Sequence, residues 1–152
     1  NPARAAEAFF DATRHNGFIF QLNKGLSGEH PEAEKRDRAT AVHPQVFGAA
    51  ALVIMASAQQ YRYPGVAGRE PNPYEAQKEA RAVGRAMDAI ARVTPGAGTY
   101  STESDYFLEN WQEAQWGPNY PRLLAIKKRV DPGNLFRVHH GVGSEEIPVQ
   151  YA

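Results

Sequence analysis

The apolar positions of this chain change period several times, and each change marks an element. Ala6, Phe9, Phe10 and Thr13 fall at helical spacing, and Asn16-Gly17 supplies a stop. The next run, Gly17 to Asn23, reads as a strand, with Phe18, Phe20 and Leu22 on one side and Ile19, Gln21 and Asn23 on the other. Glu29 to Arg38 is charged and contains Pro31, so it reads as a solvated loop. Ala49 to Gln60 is Ala-rich around Leu52, Val53, Ile54 and Met55, and period alone leaves it between a strand and a buried helix. Its aromatic and Pro-Gly ending and its pairing with the earlier run favour a strand. One face then carries Leu52, Ile54 and Ala56, the other Val53, Met55, Ser57 and Gln59.

Tyr61 to Pro73 is punctuated by Pro64-Gly65, Gly68 and Pro71, which predicts a loop. A helix follows, with Ala76, Ala80, Val83, Met87 and Ile90 spaced by three and four, and Pro95-Gly96-Ala97-Gly98 ends it. Glu109 to Trp116 and Tyr120 to Val130 predict two more helices, the second with Pro121 in its first turn, where a missing N–H costs nothing. Leu135 to His140 is predicted as a short extended tail, loosely held beyond Gly143. The order predicts an α+β fold: an antiparallel sheet with helices on one face. The other face shows Gln21, Asn23, Met55, Ser57 and Gln59, which are either wet or, if covered, the wall of a substrate pocket.

Composition narrows the classes. A chain of 152 residues supports one core and is short for two. Seventeen basic residues balance seventeen acidic ones, so nothing draws the molecule to nucleic acid or an anionic membrane, and no apolar run reaches the length of a span. The absence of cysteine excludes disulfide and thiol chemistry within these residues. A chain opening on Asn1 rather than Met reads as a piece of something longer. His139-His140 sits on a segment read as extended, where neighbours point to opposite sides, and His15, His30 and His43 are scattered, so no metal site is expected. No Ser-His-Asp or Cys-His arrangement suggests covalent hydrolysis.

The stretch Tyr100-Ser-Thr-Glu-Ser-Asp-Tyr106, then Asn110-Trp-Gln-Glu-Ala-Gln-Trp-Gly-Pro-Asn-Tyr-Pro-Arg-Leu-Leu-Ala-Ile-Lys127, then Val130-Asp-Pro-Gly-Asn-Leu-Phe136, is specific. It resembles the C-terminal signature of berberine-bridge-type oxidoreductases in the vanillyl-alcohol-oxidase superfamily, particularly the fungal branch. Ala41-Val42-His43-Pro44 fits the same family's substrate domain more loosely. The resemblance implies FAD as cofactor and a small organic substrate oxidised on it. It implies that residues 1–98 are the latter part of a substrate-binding sheet domain and 99–152 a segment returning to an FAD-binding domain. That FAD-binding portion would lie on another chain or in a missing segment.

The resemblance also implies roles. Tyr100 opens the motif, and Thr102 stands where Asn usually contacts flavin; Thr keeps a hydroxyl but loses the amide's paired donor and acceptor. Glu103 stands where many relatives have a Tyr base, and a carboxylate shielded from water suits that task because desolvation raises its pKa. His139 and His140 lie on the tail that runs toward the flavin domain. Trp111, Trp116, Tyr120 and Leu123 read as packing anchors. Two other readings stay open: a stand-alone ligand-binding α+β domain, and a scaffolding subunit without catalysis, which Thr102 and Glu103 would favour.

Overall fold

The computed structural model describes residues 1–22, 30–57 and 60–146. Asn23 and Gln59, both expected on a substrate wall, lie outside the described residues. The chain divides into two compact units, residues 1–21 with 52–95, and residues 22–51 with 96–152.

The first unit pairs helix α1 (Pro2–Thr13) with helix α3 (Pro73–Ala91) and holds most of the antiparallel pair of strands β1 (Ile19–Leu22) and β2 (Ala51–Ile54). Asn1 caps α1 by accepting from the Ala3 N–H at 3.1 Å, and Asn72 caps α3 by accepting from the Glu75 N–H at 3.2 Å, each followed by proline in the first turn. The core is built from small residues: Ala12, Ala86, Ala89 and Ile90 are buried, with Phe9, Val53 and Met55 packed against them. Alanines let the two helix axes approach, and this moves the buried stripe from where periodicity placed it. Ala76, Ala80 and Met87 are exposed, while Glu79, Ala82 and Val83 are half-buried beside the core residues. Of the expected stripe, Ile90 is in the core and Val83 beside it, while Ala76, Ala80 and Met87 are displaced by Ala86 and Ala89, because close helix contact favours small side chains.

The sheet faces also differ from expectation. Phe18 and Phe20 gather round Phe9 of α1, with ring centroids at 5.3 and 5.1 Å, so that side of β1 meets the helices. Val53 and Met55 meet the same core, and the Ser57 hydroxyl bonds the Glu79 carboxylate of α3. Met55 and Ser57 therefore stand on the helix side and not on the open face. Gln21 alternates with Phe20 and falls on the open face with Ile19, Leu52 and Ile54.

The second unit carries helices α2 (Pro31–Asp37), α4 (Trp111–Trp116) and α5 (Tyr120–Val130), with single 3-10 turns at Pro44–Gly48, Gly117–Asn119 and Ser144–Glu146. The loop was expected over Glu29 to Arg38; Glu29 lies outside the described residues, and from Pro31 to Asp37 helix α2 stands in its place. Its reason is local: His30 caps it, Pro31 occupies the first position without cost, and Glu32 and Glu34 precede Lys35 and Arg36 in the sense the helix dipole favours. Nothing in it is buried, so no apolar period announces it.

Candidate functional site

The Tyr100–Asp105 stretch is a compact turn. The Glu103 N–H bonds the Tyr100 carbonyl at 3.0 Å, and the Ser104 hydroxyl donates to the Ser101 carbonyl at 3.4 Å. Helix α4 holds it from behind. The Thr99 N–H bonds the Ala114 carbonyl at 2.6 Å, and the side-chain amide of Gln115, 4% exposed, donates to the Ser104 hydroxyl at 2.9 Å. Trp111 and Gln115, one helical turn apart, form the buried face of this six-residue helix. Tyr100, Thr102 and Glu103 are left exposed together. The structure thus brings three of the expected residues onto one short platform.

His43 clamps this element at both ends. The imidazole is buried, its Nδ1 accepts from the Gln45 N–H at 3.1 Å, and its ring lies between Gly98 and Gly117. A Cβ at Gly98 would come within 2.7 Å of ring atoms Cγ and Nδ1, and one at Gly117 within 2.7 Å of Nε2. Gly98 precedes the turn and Gly117 ends α4, so one side chain sets the spacing of both. Asn119 ties down the same loop, donating to the Val42 carbonyl at 2.9 Å.

The tail returns to the turn through a column of rings. His139 stacks on Tyr106 at 3.9 Å and on His140 at 3.8 Å; His140 stacks on Trp111 at 5.3 Å, and Trp111 meets Tyr120 edge-on at 5.6 Å. The two histidines do not diverge as an extended segment would require. Val138 to Gly141 is a turn, closed by the Gly141 N–H on the Val138 carbonyl at 3.0 Å, and His140 has φ +55°, which brings both rings to one side. His139 Nε2 is 2.6 Å from the Tyr106 carbonyl, which only accepts; Nε2 therefore carries the proton, and Nδ1 is the acceptor of the neutral ring. Burial pushes the His140 pKa down, the neighbouring charge of His139 adds to this, and Asp105 opposes both. No cluster of three metal-ligating side chains occurs among the described residues.

The tail is anchored one step earlier by Asp131. Its carboxylate pairs with Lys127 and accepts from the Leu135 N–H at 2.9 Å and the Phe136 N–H at 3.0 Å, while Lys127 also reaches the Phe136 carbonyl. The Lys127 hydrogen bond, then the backbone donors, hold the Asp131 carboxyl below its ordinary pKa of 3.8. Beyond Gly143 the chain is less free than expected: Glu145 accepts from the Tyr120 hydroxyl at 2.6 Å. Gln115, Tyr106 and Asp131 are structural members of this site to which the sequence reading gave no role, and the clamp made by His43 was not foreseen. Gln21, Met55 and Ser57 belong to the other unit.

Comparison with known proteins locates the same segment. Residues 99–143 match the family described as berberine and berberine like. An FAD-linked oxidoreductase of Aspergillus flavipes is 41% identical over 66 residues, 43% of this chain and 11% of that protein. A VAO-type flavoprotein oxidase of Thermothelomyces thermophilus is 48% identical over 59 residues, 39% of this chain and 10% of that protein. The match thus spans about a tenth of the length of these relatives. The crystal structure of a VAO-type flavoprotein from Myceliophthora thermophila C1 superposes with a TM-score of 0.70 at 23% identity, covering 95% of this chain and 24% of that one, which shows a shared fold. The turn, the α4–α5 pair and the returning tail, all within residues 99–143, are thus similar to the berberine-like segment, and the chain resembles VAO-type, FAD-linked oxidoreductases over that stretch.

Proposed function

We propose that this chain serves an FAD-dependent oxidoreductase that oxidises a small organic substrate, an alcohol, sugar or aromatic metabolite, with dioxygen as the final acceptor. The carrying observation is the platform: Tyr100, Thr102 and Glu103 are exposed together on a turn whose backbone and Ser104 are bonded inward. Residues 99–152 then return to an FAD-binding portion outside these residues, and 1–98 belong to the substrate-binding sheet. Large apolar side chains exposed in 99–152 support a covering partner: Phe107 is 76%, Leu135 76%, Phe136 78% and Val138 71% exposed.

The donor set suits a flavin. Flavin rings present N–H and C=O groups at their edge, which the hydroxyls of Tyr100 and Thr102 and the imidazoles of His139 and His140 can meet. When bound, FAD supplies the two-electron acceptor. Glu103 takes the substrate proton at its carboxylate, a role that cover over the platform assists by excluding water. Gln21, half-buried on the face of the sheet away from the helices, is the described residue proposed for the substrate wall.

The test is Glu103→Gln in the flavin-loaded protein. Flavin content should be unchanged and the rate of flavin reduction by substrate should fall about 100-fold or more, in the range for removal of a general base. Unchanged reduction kinetics would remove Glu103 as the base.

A further inference from the structure

We infer that Gln115 is the positioning residue of the Tyr100–Ser104 platform, an inference that rests on the functional reading above. Glutamine is seldom buried unless its amide is bonded, and this one is 4% exposed on a helix of only six residues. Its amide can donate and accept, and here Nε2 donates to the Ser104 hydroxyl at 2.9 Å. That sets the direction of the next bond. With its oxygen accepting from Gln115, Ser104 turns its own proton to the Ser101 carbonyl at 3.4 Å.

The relay thus runs from the α4 core through Ser104 to the residue preceding Thr102. The neighbouring Ala114 carbonyl holds Thr99 at the other flank. Between these two attachments the chain exposes Tyr100, Thr102 and Glu103. Glu103 is joined to the platform by its own N–H on Tyr100, so a shift of Ser104 moves the carboxylate directly. A leucine or methionine at position 115 would fill the same buried space beside Trp111. The amide adds a directional bond to one atom of the turn, which packing alone does not require. Gln115 itself touches no reacting group; it acts by fixing where Glu103 stands.

The experiment uses Gln115→Met, which conserves volume and removes the donor, with Ser104→Ala removing the acceptor. Both are made in the flavin-loaded protein, with and without Glu103→Gln. Amide exchange across residues 99–104 is expected to rise about fivefold in Gln115→Met, the effect of one lost hydrogen bond, and by at least as much in Ser104→Ala, which also loses the bond to Ser101; combining the two should add nothing to Ser104→Ala. Flavin reduction is expected to slow about 10- to 100-fold with the KM for substrate little changed, and to show no added loss on the Glu103→Gln background. Unchanged exchange overturns the inference, as does faster exchange with unaltered reduction. An equal loss with and without Glu103→Gln also overturns it, since Gln115 would then act elsewhere. If Glu103→Gln alone leaves reduction intact, the base assignment fails, and exchange in Gln115→Met still decides whether Gln115 holds the turn.

Discussion

Replacing Gly98 or Gly117 by alanine tests whether His43 sets the geometry of the site. At Gly98 the penalty is steric alone. The new methyl would sit 2.7 Å from Cγ and Nδ1 of a buried ring, against rigid atoms and not the end of a flexible chain. Such overpacking costs about 1–3 kcal/mol. At Gly117 the backbone adds to this, because φ +53° with ψ −137° is a conformation L side chains rarely adopt. Strain of that kind contributes about 1–3 kcal/mol more. Gly117→Ala should therefore be the more damaging, at about 2–5 kcal/mol. His43→Ala separates the two contributions. It loses the cap on Gln45, about 1 kcal/mol, but should remove most of the cost of Gly98→Ala and only the steric part of Gly117→Ala. The assay is native-state amide exchange over residues 96–120, read as opening free energy. Gly84→Ala, where nothing lies within 4 Å of the added carbon and the backbone is helical, is the control and should stabilise α3 by about 0.5–1 kcal/mol. If Gly98→Ala is equally costly with and without His43, the clamp does not exist.

The charged groups of the tail give two pH-dependent expectations. Asp131 has a folded-state pKa below its ordinary 3.8, so its stabilising effect is complete above that value and is lost as the pH falls through the lower folded one. Acid should thus open residues 131–143, and Asp131→Asn should abolish that acid dependence while weakening the tail at neutral pH, measured by exchange at the Leu135 and Phe136 amides; a dependence that survives the substitution would assign it elsewhere. His140 is also depressed, from an ordinary 6.5, so the ring column is fully supported above that pH and weakens as protonation begins below it. His140→Phe keeps a ring between His139 and Trp111 and should flatten this response, followed by the imidazole resonances of His139; a His140 that titrates above 6.5 would refute the account.

Elements with strong local signals were legible in the sequence. The Pro-initiated helices α1, α3 and α5, both strands and the Trp111–Trp116 helix carry their periods and their proline or glycine punctuation within a few residues. The berberine-like segment was legible for the same reason: its residue types recur in order, and order is what a sequence records. Helix α2 was misread because its support is electrostatic and capping, with no buried face to impose a period.

What tertiary structure alone decided is which face of each element is used. The Ala12–Ala86–Ala89 contact turned α3 so that Met87 is exposed while Ile90 stays buried, and it put Met55 on the helix side of the sheet. A positive φ at His140 set two adjacent imidazoles on one side of the chain and stacked them between Tyr106 and Trp111. The buried positions of His43 and Gln115 depend on partners 55 to 74 residues or 11 residues away, at Gly98 and Gly117, and at Ser104. Local pattern establishes what an element is. Only packing across long separations, where close approach and a satisfied hydrogen bond are tested together, establishes what it touches.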